Sequence, residues 1–129
     1  MKKILFVCIE NSNRSQMAEA FAKIHGGSKV KAYSSGSRPS GKVNPKAIAA
    51  MNELGYDLSR HISKSLDEIP QIKYDYVITM GCGDECPFIA AENRLDWALP
   101  DPKNMEPDEF NKVRDEIKSR VLELLSKID

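Results

Sequence analysis

The chain has 129 residues, enough for one domain with a real hydrophobic core. Its 19 Lys plus Arg balance 19 Asp plus Glu, which leaves no net field to draw a nucleic acid or an anionic membrane. The opening apolar run stops after about six residues at Glu10, too short for a signal core or a membrane span. A cytoplasmic monomer with a single domain over residues 1–129 is expected. Three cysteines without an export signal point to redox or catalytic thiols, not to a disulfide framework.

Residues 2–8 read as a buried strand of parallel type. The strand runs into Cys8-Ile9-Glu10-Asn11-Ser12-Asn13-Arg14-Ser15, and a helical pattern begins at Arg14. A cysteine, five residues, then arginine and serine at a strand-to-helix turn suits a tetrahedral oxyanion. Backbone N–H groups from Ile9, Glu10, Asn11, Ser12, Asn13 and Arg14 form an anion nest, and the helix N-terminus adds positive potential. Arg14 offers a planar fork for two oxyanion oxygens. The same field favours a thiolate, so Cys8 is the expected nucleophile and Ser15 a donor to its sulfur. The bland alternative is a buried strand ending in a core cysteine, followed by an ordinary helix cap.

The first helix runs from Arg14 to about His25, with Met17, Phe21 and Ile24 at helical spacing and Gly26-Gly27 ending it. Residues 29–34 alternate as a second strand, and 36–41 form a loop. Asn44-Pro45 caps a helix whose apolar face is Ile48, Met51 and Leu54, closed by Gly55. Ser65 to Glu68 has capping-box spacing and starts a short turn or helix that Pro70 ends. Residues 74–80 form a third strand. The loop 81–87 carries Cys82 and Cys86, and residues 95–99 form a short fourth strand. A long amphipathic helix fills 107–128, with Phe110, Val113, Ile117, Val121, Leu124 and Leu125 on one face.

Alternating strands and helices argue for an α/β fold with a parallel sheet covered on both faces. Ligands then bind beyond the carboxyl ends of the strands, where Cys8, the Cys82–Cys86 segment and Asp101 all fall. Asp101, between prolines, is a candidate acid for a leaving oxygen, or simply a turn aspartate. Cys82, flanked by glycines, is a candidate to attack a sulfur adduct on Cys8. A zinc site using the three cysteines and a histidine is disfavoured because no paired-ligand knuckle is present, so no metal is expected. His25 and His61 read as surface or capping residues, and Trp97 and Phe88 as core or loop packing.

These residues resemble a known family. The run Cys8 to Glu19 is similar to the phosphate-binding loop of low-molecular-weight protein tyrosine phosphatases, and more so to their relatives, the thioredoxin-coupled arsenate reductases. Residues 33–36, 43–48, Cys86-Pro87, 97–102 and 113–117 extend the match over essentially the whole chain. The resemblance implies a three-layer fold, with four parallel strands and helices on both faces. It also implies a relay. Cys8 attacks arsenate, Arg14 and the loop amides hold its oxygens, and Asp101 protonates the leaving oxygen. Cys82 attacks Cys8 and releases arsenite. Cys86 then attacks Cys82, and thioredoxin reduces the resulting disulfide. No bound cofactor is implied, and phosphate or sulfate would compete with arsenate.

The chain departs from the pattern in several places. The reductases usually carry their second cysteine where this chain has Gly81, with a longer gap to the third. A Cys82–Cys86 pair four residues apart spans about 6 Å on a helix, near the upper limit for a disulfide, so glutaredoxin or glutathione is an alternative resolving thiol. Glu10 replaces a small residue and should point outward from a dianion, and Asn13 replaces a frequent cysteine. Some of these reductases bind potassium with residues matching Asn11, Glu19 and Ser34 plus an aspartate. Lys64 aligns with that aspartate, so its ammonium is expected to replace the ion and pair with Glu19. The phosphatases carry an aromatic residue after Asp-Pro, whereas this chain has Lys103-Asn104, which favours the reductase. The competing functions are a phosphatase and a non-catalytic oxyanion-binding or redox-sensing module.

Overall fold

The computed structural model of the protein describes residues 1–81 and 89–128. Cys82, Cys86 and Phe88 lie outside the described residues. Four strands form one sheet: β1 (Lys2–Cys8), β2 (Val30–Gly36), β3 (Tyr74–Thr79) and β4 (Ala91–Asp96). Their order is β2-β1-β3-β4 and every pairing is parallel. The main helices are α1 (Arg14–Gly26), α2 (Pro45–Asn52) and α3 (Pro107–Ser126). Among the described residues no helix is long and apolar enough to cross a membrane.

β1 is buried from Ile4 onward because both its faces are covered. Successive side chains alternate between faces. Ile4, Phe6 and Cys8 join the larger core with Met17 and Phe21 of α1 and Ile117 and Val121 of α3. Leu5 and Val7 point the other way, into a smaller cluster with Ile69, Tyr74 and Val77, against which Leu66 of a 3-10 turn packs. Arg114 of α3 is buried and donates from Nη1 to the Ala50 carbonyl at 2.9 Å, tying α3 to α2. The chain leaves β1 for β2 on one side and returns to β3 on the other. The crevice beyond the carboxyl ends of β1 and β3 is therefore the switch point where ligands bind in such sheets.

The fourth strand is not at 95–99 but at Ala91–Asp96, a mostly exposed polar stretch. It is an edge strand, paired only to β3, and its charged side chains discourage further pairing. The apolar residues mistaken for it leave the sheet and enter the core as a loop. Trp97 and Leu99 are buried, and the Trp97 ring lies 6.0 Å from Phe6. β2 also runs on to Gly36, so Ser35 and Gly36 belong to the strand.

Two expected core residues face solvent. Ile24 is 43% exposed, because residues 23–25 of α1 project outward before Gly26 returns to pack on Val30 and Leu125. Leu54 is 42% exposed because α2 ends at Asn52, and Ala47, Ala50 and Met51 form its buried face.

Candidate active site

β1 delivers Cys8 and α1 begins at Arg14, so residues 9–13 must turn the chain between them. Asn11 sits at φ 51°, in the left-handed region that asparagine tolerates better than most residues. Every carbonyl from Cys8 to Asn13 accepts a hydrogen bond from outside this turn. The N–H groups of Ser37, Arg38, Ser40 and Asn44 take the carbonyls of Cys8, Ile9, Glu10 and Ser12 at 3.3, 2.8, 3.1 and 3.1 Å. The Gln16 amide takes that of Asn11 at 3.0 Å, and the Met17 N–H that of Asn13 at 3.0 Å. A trans peptide sets each N–H opposite its C=O, so the amides of Ile9 through Arg14 face the inside of the loop.

Gly36 makes this arrangement possible. A Cβ at Gly36 would fall 2.5 Å from the Ile9 carbonyl oxygen and 2.9 Å from the Asn11 nitrogen. The helix end adds to the cradle, because Asn13 makes no side-chain cap and does not consume the first N–H groups of α1.

Arg14 is buried and donates from Nη1 to the Leu99 carbonyl at 3.0 Å. Its guanidinium has further N–H groups for a ligand. Gly81, at φ 80°, lies against this contact, and a Cβ there would meet Arg14 Nη1 at 2.7 Å. Cys8, Glu10, Ser12, Asn13, Arg14 and Asp101 line one small cavity at the loop. The predicted nucleophile, arginine and acid therefore converge. Asp101 is held by the Lys103 N–H, which donates to Oδ1 at 3.1 Å. Glu10 points outward to Lys103, whose Nζ donates to it at 3.0 Å.

Behind Cys8 runs a chain of hydrogen bonds with one polarity. Three carbonyl-type oxygens surround Gln16 Nε2 at 2.8 to 3.0 Å, so that atom is the amide nitrogen. Gln16 Oε1 must then accept from His61 Nδ1, at 2.9 Å. His61 Nε2 is left to accept from the Tyr56 hydroxyl at 2.6 Å. Onward from Gln16, Asn11 Oδ1 accepts and Asn11 Nδ2 donates to Ser15 Oγ at 2.8 Å. The Ser15 hydroxyl hydrogen is thereby free for Cys8 Sγ, 2.8 Å away, where it supports a thiolate. His61 was expected at the surface, yet its side chain is only 6% exposed, beside Glu19. Burial holds its pKa below the usual histidine value, against the pull of Glu19, in keeping with the neutral tautomer this chain requires. His25 does remain exposed, stacked on Phe21.

Glu19 gathers the residues expected around a cation. Ser34 Oγ donates to Oε1 at 2.5 Å, and Lys23 Nζ to Oε2 at 2.6 Å. Lys64 Nζ lies 3.7 Å from Oε1 and His61 Nδ1 3.7 Å from Oε2. Asn11 joins the group through its Oδ1, which accepts from the Lys64 N–H at 2.9 Å. Burial opposes ionisation of Glu19, but the Lys23 and Ser34 hydrogen bonds and the Lys64 charge outweigh it, and its pKa lies below the ordinary value. At Lys64 burial dominates and lowers the pKa despite Glu19. Among the described residues no group of His, Cys, Asp and Glu is arranged to hold a metal ion.

The profile of the low molecular weight phosphotyrosine protein phosphatases matches residues 3–129. The chain belongs to that family. Within it, the chain is 43% identical over 131 aligned residues to a glutaredoxin arsenate reductase from Synechocystis sp., covering 99% of each. It superposes on a solved arsenate reductase in the phosphate binding state with a TM-score of 0.91, at 42% identity and full coverage of both chains. It also matches a thioredoxin-dependent arsenate reductase from Corynebacterium glutamicum, with a TM-score of 0.78 and 33% identity, over 98% of this chain and 61% of that one.

Reasoning from sequence missed Gln16, His61, Tyr56, the Leu99 carbonyl and the Glu10–Lys103 contact. Gln16 left one sign, a neutral polar residue in the first turn of a helix whose neighbours are buried. His61 left none, since its partner Gln16 is 45 positions away.

Proposed function

We propose that the chain is an arsenate reductase, with Cys8 as nucleophile and Cys82 and Cys86 as relay thiols. The observation that carries this reading is a loop whose carbonyls all turn outward, with Cys8 at its base and Arg14 and Asp101 lining the same cavity. The relatives that match the full length of the chain are named arsenate reductases.

Arsenate binds with its oxygens on the inward amides of Ile9 to Arg14 and on the Arg14 fork. The Cys8 thiolate, oriented by Ser15, attacks arsenic. A sulfur–arsenic bond forms, and one oxygen leaves as water after Asp101 supplies a proton. Arsenic is still pentavalent. The Cys82 thiolate then attacks the Cys8 sulfur. A disulfide forms, the sulfur–arsenic bond breaks, and its electron pair stays with arsenic, which departs as arsenite. Cys86 attacks Cys82, frees Cys8 and leaves a Cys82–Cys86 disulfide for thioredoxin. Glutaredoxin or glutathione serves if the short Cys82–Cys86 spacing prevents closure. The enzyme acts as a cytoplasmic, single-domain monomer.

A weaker hydrolysis of aryl phosphates accompanies this activity, because the same loop accepts phosphate. NADPH consumption coupled through thioredoxin and its reductase tests the reading, with glutaredoxin and glutathione as a second arm. Arsenate-dependent turnover is expected in the wild type and none in Cys8→Ser or Cys82→Ser. Aryl phosphate hydrolysis without arsenate turnover under either reductant would establish the phosphatase instead.

A further inference from the structure

Glu10 is an anomaly in an oxyanion site. It lines the cavity with Cys8 and Arg14, and its carboxylate, turned outward to Lys103, leaves a negative charge beside the approach of an incoming dianion. Unlike Asp101 it has no proton-donor task in the reaction. Its backbone has little freedom to withdraw, since its carbonyl accepts from both the Ser40 N–H and Ser63 Oγ, at 3.1 and 2.9 Å. The side chain is held at 3.0 Å by Lys103 Nζ, which comes from the segment that carries Asp101. That segment is itself pinned. Lys46 Nζ donates to the carbonyls of Lys103 and Met105 at 3.0 and 3.1 Å, and the Lys103 N–H holds the Asp101 carboxylate.

The bridge therefore crosses from the oxyanion loop to the acid-bearing segment, on one side of the cavity mouth. In an in-line displacement the leaving oxygen lies opposite the attacking sulfur, toward Asp101. Arsenate loses only water in that direction. The organic group of a phosphate monoester would leave on the Asp101 side, next to the Glu10–Lys103 pair, which offers a ring charge and no apolar wall. The charge of Glu10 favours the protonated form of Lys103, which keeps the pair ionic.

We propose that Lys103 is a specificity-determining residue whose bridge to Glu10 cancels the charge at the mouth and restricts the site to compact inorganic oxyanions over aryl phosphate esters. This rests on the reductase reading above, and the test separates the two. Arsenate turnover and aryl phosphate hydrolysis are measured for the wild type, Lys103→Met, Lys103→Arg and the double variant Glu10→Gln/Lys103→Met. With Lys103→Met, an uncompensated Glu10 should raise the arsenate KM roughly tenfold while leaving kcat nearly unchanged. Lys103→Arg should keep the wild-type KM. The double variant should recover it and raise kcat/KM for aryl phosphate several-fold, on the order of one to two apolar contacts. An unchanged KM in Lys103→Met, or a double variant no better than the single, would overturn the proposal. If the wild type turns over no arsenate, the reductase reading fails. The inhibition constant of inorganic phosphate against aryl phosphate hydrolysis then carries the same comparison, and a constant indifferent to Lys103→Met would overturn the bridge as well.

Discussion

Ser15 Oγ lies 2.8 Å from Cys8 Sγ, and Asn11 Nδ2 donates to that same oxygen from the other side. With Asn11 on one lone pair of Ser15, the hydroxyl hydrogen is left available to donate to a Cys8 thiolate. Hydrogen bonds to charged groups contribute about 1.5–3 kcal/mol. Ser15→Ala should therefore lower kcat/KM for arsenate by roughly ten- to a hundredfold, without unfolding the protein. Steady-state kinetics beside a thermal melt checks this. A variant that keeps wild-type kinetics would remove Ser15 from the mechanism.

Gly36 is the second test of the loop. The wall of the cradle comes so close that any Cβ at Gly36 collides with backbone atoms of Ile9 and Asn11, which cannot swing aside as a side-chain tip can. Gly36→Ala should cost about 1–3 kcal/mol of stability and abolish tight phosphate binding. Denaturant unfolding and calorimetric titration with inorganic phosphate measure both. Gly41→Ala serves as the control for binding alone: a Cβ there meets nothing within 4 Å, but its φ of 82° strains any side chain, so it should lose some stability and keep phosphate binding.

The Glu19 cluster predicts how stability responds to acid. Glu19 has a folded pKa below the ordinary 4.5, and His61 one below the ordinary 6.5. In both cases the unfolded chain binds protons more readily than the folded one, so stability rises with pH through each window. The His61 contribution is complete above 6.5 and is lost as pH falls toward its folded value. The Glu19 contribution is lost at lower pH, below 4.5. Unfolding free energy should therefore decline in two stages on acidification, and His61→Gln should remove the first. A flat profile for the wild type above the carboxylate range would contradict the assignment for His61.

Lys64 stands where the resemblance implies an aspartate ligand for potassium in some relatives. Its ammonium already lies 3.7 Å from Glu19 Oε1, and its N–H donates to Asn11 Oδ1. Arsenate turnover should be the same in potassium and sodium chloride at equal ionic strength. A clear stimulation by potassium would show that Lys64 does not replace the ion.

Much of this site was legible because its chemistry is local. Cys8, Arg14 and Ser15 lie within one strand-to-helix turn, and the strand's apolar run and the helix's periodicity are strong signals. From spacing alone Asp101 was legible as a residue between prolines beyond a strand end, and the strand itself was misplaced; its role came from the resemblance over residues 97–102. Trp97 and Leu99 drew the assignment because they are apolar, whereas β4 is polar and held by its pairing to β3. An edge strand escapes a pattern built on burial. The role of His61 and the contact of Lys103 with Glu10 were opaque for a different reason. Both depend on partners 45 and 93 positions away, and nothing in their own neighbourhoods marks such contacts.

A single-turnover experiment tests the central claim most directly. The fully reduced chain, which carries three cysteines, is mixed with excess arsenate and no external reductant. Arsenic speciation and free thiols are then counted. One arsenite per chain with the loss of two thiols, abolished in Cys8→Ser, is the predicted result. Arsenate recovered unchanged with all thiols intact would contradict the reductase account and leave the loop as a phosphatase site.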